Sequence, residues 1–315
     1  MGRVPGGSRA GAAGMSTLFV FGLGYTALRL AERMRARGWH VIGTVRRRQA
    51  AAELRSRDIE VLLFDGTAPS AAVSQALADA THVLSSVPPD AGRDPDAGGG
   101  PNVGSDPVLR CHERALMAAP RLTRLAYLST IGVYGDRQGG WVDESHVPEP
   151  PTARAAARVA AEAAWLALRE RVPVQVFRLG GIYGPGRNAL RAVADGTARR
   201  ISKPGQVFNR IHVDDIARLL EAAMTQAPVS TIYNVVDDAP SSPEEPVLEA
   251  ARLLGVPPPP AIPFESANLG PMARSFYAGN RRVSNARIKR ELGVTLLYPS
   301  VRDGLRALHA AGEGR

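Results

Sequence analysis

Cysteine and long apolar runs are scarce in this chain of 315 residues. Its one cysteine, Cys111, cannot form an intrachain disulfide and suits a reducing compartment, so we expect a cytoplasmic protein. No apolar run approaches the roughly 18 to 20 residues that cross a bilayer, so no membrane partner is expected. His82, Cys111 and His112 follow no known spacing of metal ligands, and we predict no metal site.

Lysine is scarce as well, although the formal net charge is +9. All but two of the 39 basic residues are arginine, the exceptions being Lys203 and Lys289. The arginines are spread along the whole chain, and no basic stretch alternates with aromatic residues. This pattern argues against a surface that follows a phosphate backbone, so we expect no nucleic-acid partner.

Two segments have compositions that are unfavourable for regular structure. Residues 1–14 contain no acidic residue and no apolar core, so they lack the hydrophobic stretch of a secretory signal. We therefore expect them to form a disordered leader. Met15 directly precedes the first apolar run and is an alternative start of translation. Residues 88–106 are rich in glycine, proline and aspartate, and a loop of this length is usually functional or disordered.

From Ser16 onward, short apolar runs alternate with segments of helical periodicity. This alternation predicts an α/β protein whose parallel sheet is covered by helices on both faces. The predicted strands are 17–21, 40–45, 59–64, 82–87, 125–130 and 174–179, and the predicted helices are 27–38, 49–57, 70–79, 107–119, 152–171 and 243–254.

A glycine motif stands between the first predicted strand and the first predicted helix. Residues 22–27 read Gly-x-Gly-x-x-Ala: Gly22 permits a tight turn, Gly24 allows close approach of a pyrophosphate, and Ala27 brings helix and strand together. The motif predicts a Rossmann fold that binds a dinucleotide. The expected cofactor-binding residues here are Gly22, Leu23, Gly24, Tyr25, Thr26 and Ala27.

The end of the second predicted strand indicates which dinucleotide is bound. An NAD site usually has an acidic residue there, whereas this strand ends in Arg46, Arg47 and Arg48. A guanidinium group can form a fork with a 2′-phosphate, so we predict that Arg46 and Arg47 favour NADP(H) over NAD(H). The alternative is a solvated turn in an arginine-rich chain.

Further motifs resemble those of the extended short-chain dehydrogenases/reductases, in the NAD-dependent epimerase/dehydratase superfamily. They are "LLFDGT", "LSSVPP", "YLSTIGVYGD", "VFRLGGIYGPGR" and "NRIHVDDIARLL". The resemblance covers about residues 16–240. It implies that Asp65 contacts the adenine and that residues 84–89 line the ribose side. The cofactor contacts expected from these two motifs are Asp65, Gly66, Ser85, Ser86 and Val87.

The resemblance also implies a hydroxyl, a tyrosine and a lysine as catalytic groups, and here the chain departs from the pattern. Thr130 matches the hydroxyl that polarises the substrate oxygen. Counting back from Glu162, Arg154 and Arg158 stand where the tyrosine and lysine are expected. Arg158 can still bind ribose hydroxyls, but a guanidinium cannot give up its proton as a phenol does. Tyr134 is a substitute acid, unless it only packs beneath its loop.

Several other residues have both a structural and a functional interpretation. Arg178 either holds the loop that follows it or binds an anionic substrate, and Tyr183 is a further substrate candidate. Asp214 and Asp215 are expected to cap a helix. A helix is also expected to begin near Ser284, an N-cap candidate. His212 is expected to hydrogen-bond across a lobe boundary.

These features lead to a domain prediction and two hypotheses of function. Residues 15–180, with 211–236 returning to them, are expected to form the Rossmann domain, and 181–210 with 237–315 a smaller substrate-binding lobe. The first hypothesis is an NAD(P)-dependent oxidoreductase or epimerase-like enzyme that acts on a small carbonyl, sugar or nucleotide-sugar substrate. The second is a sensor that binds NADP(H) without turnover. A monomer or homodimer is expected in either case.

Overall fold

In the computed structural model, which describes residues 15–90 and 105–314, seven parallel strands form a central sheet. The predicted leader and most of the predicted loop 88–106 lie outside these residues. The strands are β1 Thr17–Phe21, β2 His40–Val45, β3 Glu60–Leu63, β4 His82–Ser85, β5 Arg124–Thr130, β6 Trp141–Val142, β7 Val174–Leu179, β8 Gly181–Tyr183, β9 Arg200–Ser202, β10 Arg210–His212, β11 Ile232–Val235, β12 Ala261–Pro263 and β13 Arg282–Val283.

Helices cover both faces of this sheet. They are α1 Tyr25–Ala36, α2 Arg48–Arg55, α3 Ala71–Ala78, α4 Pro107–Ala118, α5 Ala153–Ala167, α6 Ala189–Ala194, α7 Val213–Thr225, α8 Glu245–Leu254, α9 Pro271–Ser275, α10 Ala286–Leu292 and α11 Val301–Ala310. Two 3₁₀ turns, Ile131–Tyr134 and Leu168–Glu170, add to these. The second turn replaces the end of the helix that the sequence predicts over 152–171.

The order of strands in the sheet is β3-β2-β1-β4-β5-β7-β11, with every neighbouring pair parallel. From β1 the chain continues outward to β2 and β3, and then crosses back to β4 on the other side of β1. Ligands of open α/β sheets bind at the carboxyl ends of the strands where the order reverses in this way. The α/β Rossmann fold predicted from the sequence is therefore confirmed, and it directs attention to the residues that follow β1, β2, β4 and β5.

Every residue of β1 is buried, because both faces of the sheet are covered. Leu18 and Val20 pack in one core with α1 and α7, and Phe19 and Phe21 pack in the other with α3, α4 and α5. Burial on both faces explains why β1 reads as a continuous apolar run. It also fixes the position of the turn that follows the strand.

The segments outside the sheet form short parallel pairs, β8 with β10, β9 with β12 and β6 with β13. Leu190, Ala250 and Leu305 join α6, α8 and α11 in a separate small apolar cluster. The helix expected near Ser284 begins at Ala286, and its N-cap residue is Asn285. The side chain of Asn285 does not cap the helix, and its amide donates to the carbonyl of Val236 at 2.8 Å, whereas the hydroxyl of Ser284 accepts from the Ala286 amide at 3.3 Å.

Candidate functional site

The turn after β1 needs glycine at Gly22. Its φ is +82°, a conformation that residues with a Cβ rarely adopt, and a Cβ there would lie 3.2 Å from Cγ2 of Val87. The Gly22 amide donates to Oγ1 of Thr44 at 3.0 Å, and the Leu23 amide donates to the Thr44 carbonyl at 2.8 Å. These contacts attach the turn to β2.

The Leu23 side chain lies against Gly43, in the middle of β2. A Cβ at Gly43 would be 2.0 Å from Cδ1 of Leu23, so a larger residue there requires the Leu23 side chain to move. Gly43 and Thr44 were missed by reasoning from the sequence. Gly43 could have been found from the sequence, because a glycine inside a predicted strand often marks the close approach of another segment.

The first turn of α1 has the properties of an anion site. Gly24 precedes the helix in an extended conformation, and among the described residues no side chain caps this end. The first turn carries no acidic residue, and a Cβ at Gly24 would meet nothing within 4 Å. Free amide groups and the helix dipole at an open helix N-terminus favour phosphate. Thr26 and Ala27 are buried against the sheet.

Three exposed arginines, Arg46, Arg47 and Arg48, follow β2. The side chains of Arg46 and Arg47 have no hydrogen bond or ion pair to any described residue, and Arg47 is the N-cap residue of α2. Like α1, α2 begins without a capping side chain or an acidic residue in its first turn. This end of the sheet therefore combines two free guanidinium groups with an uncapped helix.

Asp65 follows β3 and is exposed. Its Oδ1 accepts from the amide and the hydroxyl of Thr67, at 2.9 and 2.7 Å, and these hydrogen bonds lower the pKa of the carboxyl. Gly66 has a φ of +86°, and a Cβ there would lie 3.1 Å from Cβ of Pro107. The loop after β3 is thus held in shape by its own side chains.

After β4 the chain passes directly beside the Gly22 turn. The Ser86 amide donates to the Phe21 carbonyl at 2.9 Å, which brings Val87 against Gly22. Ser85 is fully buried, and its hydroxyl has no hydrogen-bond partner among the described residues. Together with the open N-terminus of α1, this arrangement suits a dinucleotide lying across the ends of β1 and β4.

A cleft of about 600 Å³ lies beyond the ends of β5 and β7. Thr130 is part of its wall, and Thr152, Tyr183 and Tyr277 are further lining residues. No carboxylate is found among the described residues that line it. The arginines that line it are Arg154, Arg158, Arg187, Arg210 and Arg281.

Thr130 ends β5 and begins the 3₁₀ turn. Its Oγ1 accepts from the Gly132 amide at 3.0 Å, which orients the side chain while leaving the hydroxyl proton free to be donated. Thr130 is half-buried, as a group that meets a ligand at the cleft wall would be. Its placement is compatible with the role that the sequence predicts.

The two arginines of α5 differ in their surroundings. Arg154 is exposed and has no hydrogen bond or ion pair to any described residue. Nη1 of Arg158 donates to the hydroxyl of Tyr127 and to the carbonyl of Leu128, both at 2.9 Å. Both acceptors are neutral, so the charge of Arg158 is kept next to Thr130 and β5.

Arg210 and Arg281 are tied down by neutral acceptors as well. Arg210 donates to the hydroxyl of Ser241 at 2.7 Å, and Arg281 donates to the carbonyl of Gly135 at 2.7 Å. Burial lowers the pKa of both guanidinium groups, that of Arg281 to about 10. A bound anion would relieve this cost of burying positive charge.

Tyr134 does not face the cleft, which corrects its prediction as a substitute acid. Its side chain is fully buried, its hydroxyl donates to Oδ1 of Asn234 at 2.8 Å, and its ring lies under the guanidinium group of Arg178. Burial raises the pKa of this phenol further. A hydroxyl that is enclosed in this way cannot reach a substrate in the cleft.

Arg178 likewise does not line the cleft. It is buried, and its Nη2 lies 2.7 Å from Oε2 of Glu162. The pair connects β7 to α5, so the structural interpretation of Arg178 is the one that its contacts support. The sequence could not show this, because the partner carboxylate lies on another element.

Tyr183 lines the cleft with its ring only. Its hydroxyl donates to the carbonyl of Ser300 at 3.2 Å, and burial raises the pKa of the phenol. Tyr183 can therefore shape a substrate pocket but is poorly placed for proton transfer. Tyr25, beside the glycine turn, donates from its hydroxyl to the carbonyl of Pro185 at 3.1 Å and so connects the two sides of the site.

The start of α7 differs from the expected pattern of capping. The N-cap side chain is His212, whose Nδ1 accepts from the Asp214 amide at 3.2 Å. Burial lowers the pKa of His212 to about 4, so the ring is neutral. Asp215 is fully buried and accepts from the amides of Leu297 and Tyr298, at 2.7 and 2.9 Å. It therefore holds the segment that precedes α11.

Comparison with known proteins identifies the class. The sequence profile of the NAD dependent epimerase/dehydratase family matches residues 18–235, and the chain belongs to this family. Protein YeeZ of Escherichia coli K12 is 28% identical over 291 residues, which are 90% of this chain and 97% of YeeZ. The 3-diazoavenalumate denitrifying reductase of a Streptomyces species is 31% identical over 171 residues, covering 50% of this chain and 54% of that enzyme.

Solved structures share this fold. A conserved protein of unknown function from Silicibacter pomeroyi superposes with a TM-score of 0.83 at 45% identity, covering 95% of this chain and all of that protein. MoeE5 in complex with UDP-glucuronic acid and NAD superposes with a TM-score of 0.71 at 21% identity, covering 92% and 97%. Within residues 15–90 and 105–314, no helix is long and apolar enough to span a membrane.

Proposed function

We propose that this chain is an NADP(H)-dependent oxidoreductase that acts on a small anionic substrate bound in the cleft of Thr130. The observation that carries the proposal is the composition of that cleft. A positioned hydroxyl and five arginines share it, no carboxylate lies among its described lining residues, and it adjoins the glycine turn of a dinucleotide fold. Unpaired guanidinium groups in a confined cleft attract anions.

The preference for NADP(H) is supported by the groups that follow β2. Gly22, Gly24 and the N-terminus of α1 would hold the pyrophosphate, and Arg46 and Arg47 would hold a 2′-phosphate. Asp65 would contact the adenine, and Arg158 would reach the ribose on the nicotinamide side. No acidic residue stands at the end of β2 to favour the free 2′-hydroxyl of NAD.

The proposed chemistry is reduction rather than alcohol oxidation. The chemistry that NADPH would supply at this site is transfer of a hydride to a carbonyl carbon, and the carbonyl oxygen would then take its proton from water. Thr130 donates a hydrogen bond to that oxygen, and the positive charge of Arg158 stabilises it as negative charge develops. Under the proposed correspondence with the family, Arg154 and Arg158 stand where the tyrosine and lysine are expected, and a guanidinium cannot remove a proton from an alcohol.

The relatives support two substrate classes. The solved structures include MoeE5 with UDP-glucuronic acid or UDP-glucose and NAD, and one curated relative is a reductase. A nucleotide sugar and a smaller carbonyl compound are therefore both candidates. Because the chain has a single cysteine, we also propose that the protein functions in the cytoplasm. We propose that it does so as a monomer or homodimer.

The test has two stages. Calorimetric titration with NADP⁺ and NAD⁺ is expected to show tighter binding of NADP⁺, and tighter binding of NAD⁺ would contradict the cofactor assignment. NADPH oxidation is then followed with carbonyl compounds and nucleotide sugars. Thr130→Ala is expected to lose most of the turnover, whereas Thr197→Ala, an exposed threonine outside the cleft, is expected to keep it. Equal rates for both variants would remove Thr130 from its proposed role.

A second candidate function is a sensor that binds NADP(H) without turnover. The observation that favours it is the pair Arg154 and Arg158, which leaves the cleft without the family's proton-transfer groups. It predicts tight binding of NADPH and no oxidation of it by any compound of the panel. Steady NADPH oxidation that is abolished by Gly24→Asp would exclude it.

A further inference from the structure

Arg154 is an accessible cation of the cleft. It is exposed at the beginning of α5, lines the cleft together with Thr130, and has no hydrogen bond or ion pair to a described residue. A guanidinium group that is free of protein partners offers all its donors to a ligand. Its planar fork matches a carboxylate in a two-point contact.

The cations beside Arg154 are not neutralised by described carboxylates either. Arg187 is exposed, its guanidinium group lies 5.9 Å from the ring centroid of Tyr25, and it has no ion pair with a described carboxylate. Arg158 donates only to neutral acceptors. Acidic side chains balance many other arginines of the chain, for example Arg178 and Arg200, but none balances these.

The side of the cleft formed by α9 and the segments around it is apolar. Leu269, Ala273 and Phe276 line it, and 61% of Phe276 is exposed. Phe208 and Tyr277 continue this wall, with ring centroids 5.0 Å apart. Apolar groups at the mouth of a cleft favour a ligand with an apolar body, and aromatic rings favour one that can stack.

We infer that the cleft binds an organic acid with an aromatic or other apolar body, and that Arg154 holds its carboxylate next to Thr130. The apolar body lies against Phe208 and Phe276. This inference rests on the proposed function and narrows its substrate from any small anion to this class. Arg154 is then a residue that determines substrate specificity. In the proposed correspondence with the family, the same position carries a tyrosine that transfers a proton.

The charge of the ligand and its shape can be separated with a matched pair of probes. trans-Cinnamate and trans-cinnamamide have nearly the same shape and differ in charge. Their dissociation constants are measured by calorimetry on the full chain saturated with NADP⁺, after NADP⁺ binding has been measured alone. Wild type, Arg154→Gln, Arg154→Lys and Arg169→Gln are compared. Arg169 is an exposed arginine just beyond the far end of α5 and controls for the loss of one charge.

The expected result is that wild type binds the carboxylate at least about tenfold more tightly than the amide, the size of one charge-assisted contact. Arg154→Gln removes this preference, Arg154→Lys keeps part of it, and Arg169→Gln retains it. The preference in wild type also weakens as salt is raised, because the contact is electrostatic.

Three outcomes would overturn the inference: equal affinity for acid and amide, a preference that survives Arg154→Gln, or no binding of either probe. UDP-glucuronate provides a further arm. If it binds more tightly than cinnamate and is insensitive to Arg154→Gln, the cleft is a nucleotide-sugar site and the inference is wrong. Failure to bind NADP⁺ would instead contradict the proposed function, so the two failures are distinguishable.

Discussion

Glu162 of α5 and Arg178 of β7 form a buried ion pair, with Nη2 of Arg178 2.7 Å from Oε2 of Glu162. Ser129 of β5 donates its hydroxyl to the same carboxylate at 2.5 Å. The side chains of the pair are only 3% and 4% exposed, so water does not weaken the contact. This pair holds α5, and with it Arg154 and Arg158, against the sheet.

Breaking this pair is expected to destabilise the fold strongly. Glu162→Ala leaves the Arg178 charge buried without a partner, which costs about 3 to 5 kcal/mol. Urea unfolding of Glu162→Ala and of Glu149→Ala provides the comparison. The Glu149 side chain is 62% exposed in its pair with Arg137, so Glu149→Ala is expected to lower the free energy of unfolding by less than about 1 kcal/mol. A similar loss in both variants would show that Glu162 is not a structural support.

Tyr134→Phe separates a packing role from a catalytic one. The change removes the hydrogen bond to Asn234, so we expect a loss of about 1 to 2 kcal/mol in the free energy of unfolding. Because the hydroxyl is enclosed, kcat for any substrate of the panel is expected to stay within about twofold of wild type, well below the hundredfold or more typical of a lost acid. A large fall in kcat with unchanged stability would restore Tyr134 as an acid.

Gly22→Ala tests the turn after β1. Because φ is +82° and Val87 crowds the position, we expect a loss of about 1 to 3 kcal/mol in stability and a loss of dinucleotide binding. Gly38→Ala is the control, since Gly38 also has a positive φ of +80° but has nothing within 4 Å of the added carbon. It is expected to lose some stability and retain NADP⁺ affinity in calorimetric titration. Equal loss of binding in both variants would argue against a local role of Gly22.

Replacing the two arginines after β2 is expected to change the choice of cofactor. Arg46→Ser with Arg47→Ser removes two charge-assisted contacts to a 2′-phosphate, so the Kd for NADP⁺ should rise at least about tenfold. The Kd for NAD⁺ should change little. Arg35→Ser, an exposed arginine on α1, controls for the general loss of charge. An equal effect on both dinucleotides would indicate that Arg46 and Arg47 form a solvated turn.

Asp237 gives stability a defined dependence on pH. Burial raises the pKa of its carboxyl to about 8, and the side chain is only 1% exposed. An unfolded aspartate has a pKa of about 3.9, so between roughly pH 4 and 8 the folded state holds a proton that the unfolded state has lost. Stability from this group is therefore fully present below about pH 4 and declines as the pH rises to about 8.

Urea unfolding of wild type and Asp237→Asn from pH 5 to 9 checks this dependence. The amide cannot ionise, so the variant should lose the decline and be the more stable protein at pH 8. Asp195→Asn, at an exposed aspartate, should follow wild type. Parallel curves for all three proteins would show that Asp237 is ionised in the fold.

The sequence by itself determined the features that depend on local backbone requirements. Periodicity predicted the alternation of strands and helices, and the Gly22 turn was identified because it needs a conformation that few residues adopt. Thr130 was identified by its position in a motif. These signals are readable because the residue and its structural reason lie within a few positions of each other.

The tertiary structure alone decided which side chains meet. Tyr134 and Thr130 are four positions apart, yet one is enclosed by Asn234 and Arg178 while the other lines the cleft. The partner of Arg178 lies on another element, and the five arginines of the cleft come from α5, from β10 and from the loops before α6 and β13, which meet only when the sheet and its helices pack. A side chain's role depends on its neighbours in space, and for these residues the neighbours are distant in the chain.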